Sequence, residues 1–184
     1  MYGLVNKALS GVIVDHYGQA HWDLICQQAG VAQVDFIPLE QYPDSLTYTL
    51  VKTASAVLGL SPSALLEEFG EYWVLTTAEE NYGDLLDFAG KTLPDLLQNL
   101  DALHARIARS YPGLRPPSFS CTEEVRGTIL LHYHSERDGL APLVIGILKG
   151  LGKRFATPMT ISQVAAKAAG ADHDVFEVVY EQPD

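Results

Sequence analysis

Few residues of this 184-residue chain stand in a pattern that could do chemistry, and the first is a single histidine. Leu97, Leu100, His104, Ile107 and Ala108 recur at three- and four-residue spacing. That spacing gathers side chains on one face of a helix. The imidazole of His104 therefore leaves an apolar stripe, not a wet surface. Two roles fit it. One is a core histidine satisfied by a neighbouring carbonyl, and position on the helix alone favours this. The other is a ligand to a metal or to haem iron, for which neutral imidazole is the usual proximal group.

The second pattern is Leu131-His-Tyr-His-Ser-Glu-Arg137. On a strand, alternate residues share a face. Tyr133, Ser135 and Arg137 then point one way, in line with Ile129 and Leu131. His132, His134 and Glu136 point the other way. The first set is a row of hydrogen-bond donors, and arginine suits bidentate contact with a carboxylate or phosphate. Taken one at a time, each is explained first by ordinary cross-strand polar pairing. The outward trio has ligands for a divalent ion but no accompanying ligand spacing, so a solvated face is the simpler expectation. His16, His21 and His173 have no partner spacing at all.

Other signatures are missing. There is no GxSxG elbow, no glycine-rich phosphate loop ending in GK[ST], no HExxH and no GxGxxG. Cys26 and Cys121 stand far apart outside any CxxC pattern, which excludes a disulfide framework and a cysteine zinc site. Glu67-Glu68 and Glu79-Glu80 read as solvated helix ends. Gly146 and Gly150 flatten one side of a helix, which points to helix packing. Hydrolytic or transferase chemistry has no support here, and the chain is expected not to be an enzyme.

The elements that must position these residues divide the chain in two. Helical periodicity runs from Met1 to Tyr17, His21 to Gly30, Asp44 to Leu58, Pro62 to Trp73 and Asn81 to Ala89. Gly30, Gly59 and Gly90 follow as stops, and Ser61-Pro62 is a helix start. Thr92-Leu-Pro-Asp95 fits a capping box, opening a helix that carries His104 and stops at Tyr111-Pro-Gly113. Beyond Arg115-Pro-Pro117 the texture changes. Ser118–Glu123, Thr128–Arg137, Met159–Gln163 and Val175–Glu181 read as strands, with a helix from Ala141 to about Phe155. The expected class is α+β: a helical N-terminal subdomain (about 1–90) packed on a C-terminal subdomain (91–184) with an antiparallel sheet and covering helices.

Composition sets outer limits. The chain is 47% hydrophobic and 19% charged, so it can bury a core. Its net charge of −11 argues against nucleic acid and against an anionic membrane surface as partners. The charge is uneven: residues 35–101 hold two bases and twelve acids, and residues 102–160 hold eight bases and four acids. The second stretch suggests a site for a specific anion, and the first an acidic face left free for a basic partner. Met1-Tyr-Gly-Leu lacks the layout of a signal peptide, and the apolar run Leu140–Leu148 is too short to span a bilayer, so a soluble cytoplasmic protein is expected.

The combination of His104, Pro117 thirteen residues later and Tyr133-x-Ser135-x-Arg137 resembles the H-NOX family, the haem nitric oxide/oxygen-binding domains. The resemblance covers essentially the whole chain, 1–184, as a single domain. It includes Met1-Tyr-Gly-Leu-Val-Asn-Lys7, Phe69-Gly-Glu-Tyr-Trp73, Asn99-Leu-Asp-Ala-Leu-His104, Leu114-Arg-Pro-Pro117 and Gly150-Leu-Gly-Lys-Arg-Phe155. It is similar to stand-alone cyanobacterial members and to the haem domain of soluble guanylate cyclase.

The resemblance implies haem b (iron protoporphyrin IX) between the two subdomains. It implies His104 as proximal iron ligand, Tyr133, Ser135 and Arg137 on the propionates, and Pro117 pressing on the macrocycle. Met1, Val5, Trp73 and Leu143 match its distal pocket. Dioxygen-binding members carry a distal tyrosine, and the matching position here is Pro142, which has no side-chain donor. The expected function is thus a gas sensor for nitric oxide and carbon monoxide with poor dioxygen binding. It would signal in trans to a histidine kinase or cyclase as His104 is released and strain at Pro117 relaxes. The competing expectations are a haem-dependent enzyme or haem carrier on the same scaffold, and a haem-free small-molecule or partner-binding module.

Overall fold

The computed structural model describes residues 1–31, 35–125 and 127–181. Helices α1 (Gly3–Tyr17), α2 (Gln19–Ala29), α3 (Asp44–Leu58) and α4 (Pro62–Tyr72) come first. A π-helical turn (Trp73–Ala78) joins α4 to α5 (Glu79–Ala89), followed by α6 (Leu93–Gln98) and α7 (Leu100–Ala108). Then come β1 (Ser118–Val125), β2 (Thr128–His134), α8 (Ala141–Arg154), β3 (Met159–Ala165), a 3-10 turn (Lys167–Ala169) and β4 (Asp174–Tyr180). The strands form one antiparallel sheet in the order β1-β2-β4-β3. The α+β architecture expected from the sequence is the one observed. Among the described residues no single helix is long and apolar enough to cross a membrane.

Local signals explain most of the boundaries. Gly30 and Gly59 adopt left-handed backbone after α2 and α3 (φ 66° and 68°), where a side chain would be strained. The Ser61 hydroxyl accepts from Ala64 N–H at the start of α4. The capping box is present: Asp95 N–H donates to Thr92 Oγ1 (3.3 Å), and Thr92 N–H donates to the Asp95 carboxylate (3.2 Å).

Two expectations are corrected. The capped helix is broken at Asn99 (φ −100°, ψ 6°), because its side-chain amide donates to Ala89 O (2.8 Å) and Asp95 O (3.0 Å), competing with the helical pattern. And α4 does not end at Trp73: it runs through the π turn into α5, where Tyr82 is non-helical (φ −141°).

Two apolar cores form. One contains Leu9, Ile13, Ile25, Leu50, Leu65 and Phe69. The other contains Leu93, Leu97, Ile129, Leu131, Leu148 and Phe176. Helix α4 belongs to the first and α8 to the second, and they cross with backbone against backbone. A Cβ on Gly146 would sit 2.0 Å from Glu67 O, and one on Gly70 would sit 2.2 Å from Leu143 O. Packing is therefore the role of Gly146, and Gly150 faces Val74 in the same way.

This crossing also changes the meaning of the charge asymmetry. Lys149 Nζ donates to Glu67 (2.6 Å), Lys153 to Glu71, and Arg154 to Asp87 (2.9 Å), with Glu79 3.2 Å away. Four pairings thus join the basic stretch to the acidic one. Much of the excess base in residues 102–160 is thus an internal match for four of the acids in 35–101, Glu67, Glu71, Glu79 and Asp87.

The crossing makes a prediction. Gly→Ala inside a helix ordinarily raises helix stability by about 1 kcal/mol. Gly146→Ala should instead lower the protein's stability by about 1–3 kcal/mol, because the Glu67 backbone must move. Urea denaturation reads the sign, and an unchanged or raised midpoint would contradict the close crossing.

Candidate functional site

His104 lies on α7 beside the second core, half-buried, and its Nδ1 is fully buried with no hydrogen-bond partner. A buried polar nitrogen left unpaired costs about 1–3 kcal/mol, so such an atom asks for an explanation. The core role favoured by position would give the ring a carbonyl, and the Pro117 carbonyl does act on it, but Nδ1 itself makes no hydrogen bond. Burial pushes the His104 pKa below its usual value, opposed only in part by the Pro117 carbonyl and the Asp101 charge. The ring is thus held neutral, the form that ligates metals.

Helix α7 is tied to the sheet at the same point. Asp101 accepts from Phe119 N–H (2.6 Å) and from the Ser118 hydroxyl (3.1 Å). These are the first two residues of β1, directly after Pro117. The His104 ring lies 5.6 Å from Phe119, and Phe119 lies 5.3 Å from Tyr133, its register partner on β2. A column of three rings therefore joins the candidate ligand to the donor row.

The row itself is differently built than the sequence suggests. Strand β2 stops at His134, so Ser135 and Arg137 are not on it. The Ser135 hydroxyl accepts from Arg137 N–H (3.0 Å), a local turn that ends the ladder. Tyr133 is buried, which raises its pKa, and the Ser135 hydroxyl beside it acts the other way. Arg137 donates from Nε to Asp44 (2.8 Å) and from Nη1 to Arg115 O (3.0 Å). Asp44 also receives the Met1 amino group. Burial raises the Asp44 pKa, but the ammonium and the guanidinium outweigh it and the net shift is downward.

The turn is pinned by two more residues. Lys167 donates to Ser135 O (3.1 Å) and to Asp138 (2.7 Å), and Tyr48 donates to Asp138 O (3.1 Å). Asp44 and Lys167 have no signal in the sequence. Asp44 lies 93 residues from Arg137 and looks like an ordinary first-turn acid of α3.

On the apolar side, Val5 and Leu143 pack on the first core, and Trp73 packs on both. Met1, Pro142 and Pro117 are half-buried. Trp73 opens the π turn and meets Phe69 edge-to-face at 6.2 Å. An unpartnered buried imidazole nitrogen, a row of donors and apolar side chains around Trp73, which packs on both cores, are the groups a flat apolar molecule carrying carboxylates and a metal would need.

The outward trio does not stay together. Glu136 pairs with Arg115 (3.5 Å), while His132 and His134 both approach His173. Cys26 and Cys121 are both free, and burial pushes the Cys121 thiol up to about 11.

Comparison with known proteins agrees with this geometry. A family model described as haem-NO-binding matches residues 2–163. Soluble guanylate cyclase gcy-32 of Caenorhabditis elegans is 31% identical over 157 residues, 84% of this chain and 23% of that protein. Rat guanylate cyclase soluble subunit beta-2 is 34% identical over 122 residues, 63% of this chain and 18% of that protein. The chain thus spans about a quarter or less of these relatives. A crystal structure of an H-NOX protein from S. oneidensis in the Fe(II)NO ligation state superposes with a TM-score of 0.89, covering 99% of this chain and all of that one at 19% identity. A mutant of Cs H-NOX gives 0.88 at 20% identity, covering 100% of this chain and 98% of that one.

The depressed pKa of His104 has a readable consequence. In the cofactor-free protein the unfolded chain takes up a proton at about pH 6.5 that the folded chain resists. Stability should therefore fall as pH drops below about 6.5. His104→Leu should flatten that part of the profile, and an equal slope in both proteins would contradict the burial argument.

Proposed function

The chain belongs to the haem-NO-binding family, and from that premise we propose that it is a haem-based sensor of nitric oxide and carbon monoxide. The observation that carries this reading is the buried, unpartnered nitrogen of His104 on a helix that grips the sheet. We take residues 1–90 and 91–184 as the distal and proximal parts of one domain. His104 is the residue to hold the iron of haem b. Tyr133, Ser135 and Arg137 are the donors for its two carboxylates, which cannot be buried unpaired without a cost of several kcal/mol. When bound, haem supplies a ferrous iron that takes up a diatomic gas.

The chain's own residues supply selectivity and readout. Met1, Val5, Trp73 and Leu143 form the distal wall, and Pro142 offers no side-chain donor where dioxygen-binding members have a tyrosine. Polar stabilisation of bound dioxygen is therefore weak, whereas nitric oxide and carbon monoxide do not need it. On the proximal side, His104 cannot move without α7, and Asp101 passes a movement of α7 to the first residues of β1. Pro117 stands at that junction. Such a linked element can hold two arrangements of different ligand affinity, which is the requirement for a sensor. The partner that reads the change is of the histidine kinase or cyclase class. Met1, Val5, Trp73, Pro142 and Leu143 include no acid–base pair, which favours a sensor over a haem enzyme.

The ferrous protein should show a Soret band that shifts with nitric oxide and with carbon monoxide, and no long-lived oxy spectrum in air. Absence of a Soret band in the purified protein would remove the haem reading. A stable oxy complex would remove the selectivity. His104→Gly should lose normal iron ligation and regain it with added imidazole.

A separate test addresses strain. Pro117→Ala should keep haem bound but flatten it, with loss of out-of-plane modes in the resonance Raman spectrum. Unchanged distortion would count against a steric role for Pro117.

A further inference from the structure

Outside the haem site, one cluster of potential ligands is assembled by the sheet. Strands β2 and β4 pair with Tyr133 opposite Asp174 and His132 opposite Val175. One step further along this register, His134 lies across from His173. The two imidazoles stack with centroids 3.9 Å apart. His132, two residues back on the same face, reaches His173 diagonally, with His132 Nδ1 2.9 Å from His173 Nε2. Asp172 adds a carboxylate oxygen 3.2 Å from His173 Nδ1. One ligand atom each from His134, Asp172 and His173 lies within 4.8 Å of the others.

The surroundings fit a cation as well. The residues line one side of an open cleft of about 380 Å³ that also holds Arg115, Arg137 and Lys167. Each of these cations already has a carboxylate partner: Glu136, Asp44 and Asp138 respectively. None is left to repel a metal with an uncompensated charge. The segment carrying Asp172 and His173 is held firmly. Asp174 accepts from Gln163 Nε2 (2.9 Å) and from Lys167 N–H (2.9 Å), which fixes the turn leading into β4. His132 serves as the outer partner of His173, the arrangement that sets the tautomer of metal-binding imidazoles.

We propose that His134, His173 and Asp172 form a surface site for a zinc-class divalent cation, with solvent completing the coordination and His132 orienting His173. Two imidazoles, one carboxylate and an open position are the donor set that Zn²⁺ takes. The site does not depend on haem, although it adjoins Ser135 and Arg137.

The test is calorimetric titration of the haem-loaded protein with Zn²⁺. One ion should bind per chain, and His134→Ala and His173→Ala should each weaken binding at least tenfold. His21→Ala, far from the cluster, should bind as the native protein does. An intact Soret band in each variant verifies the fold and keeps the outcome separate from the haem reading. As a check that needs no variant, Zn²⁺ should shift the ring-proton NMR signals of His134 and His173 but not that of His21. Failure to bind stoichiometrically, or equal affinity in the native protein and both cluster variants, would overturn the proposal.

Discussion

Helices α4 and α8 cross so closely that neither can carry a side chain at the contact. Gly70 and Gly146 occupy it, and the ion pairs Lys149–Glu67 and Lys153–Glu71 lie along its edge. These surface pairs contribute little individually, about 0–1 kcal/mol each. The close contact counts for more, because it joins the helical core to the sheet core. Trp73 packs on both cores, and Leu143 on the helical one.

The proximal half follows another constraint. His104 sits in an environment that disfavours its charged form and gives its Nδ1 no partner. That is unfavourable for folding alone, and it is the kind of local inconsistency that marks a site for a ligand. Asp101 ties this position to the sheet, since the helix that carries His104 is bonded to the beginning of β1. Arg137 has a comparable double attachment through Asp44 and Arg115 O, which holds the guanidinium half-buried beside Tyr133 and Ser135.

The charge distribution shows how sequence arithmetic can mislead. A net-positive stretch within an acidic chain suggested an anion site. Lys149, Lys153 and Arg154 instead meet Glu67, Glu71 and Asp87 across helix contacts. Only Arg137 belongs to the candidate cofactor site, and even it has an acidic partner. Charges that are far apart in the chain neutralise each other only once the helices are packed.

By itself, the sequence determined what local rules can decide. Periodicity marked the helices and strands, the Thr92–Asp95 box and Gly30 and Gly59 marked their ends, and an apolar face singled out His104. Spacing of Tyr133, Ser135 and Arg137 suggested a donor row on one strand, but only Tyr133 lies on β2. The tertiary structure decided what depends on distant partners. Asn99 broke a helix by bonding to Ala89, Ser135 ended β2 by its turn, and the π turn at Trp73 arose where α4 enters the second core. Asp44 reached Arg137 from 93 residues away. His173, with no spacing signal, joined His132 and His134 only because β2 and β4 are neighbours in that register. Local periodicity carries no information about which strand lies beside which, and pairing across the sheet is where those sites are made.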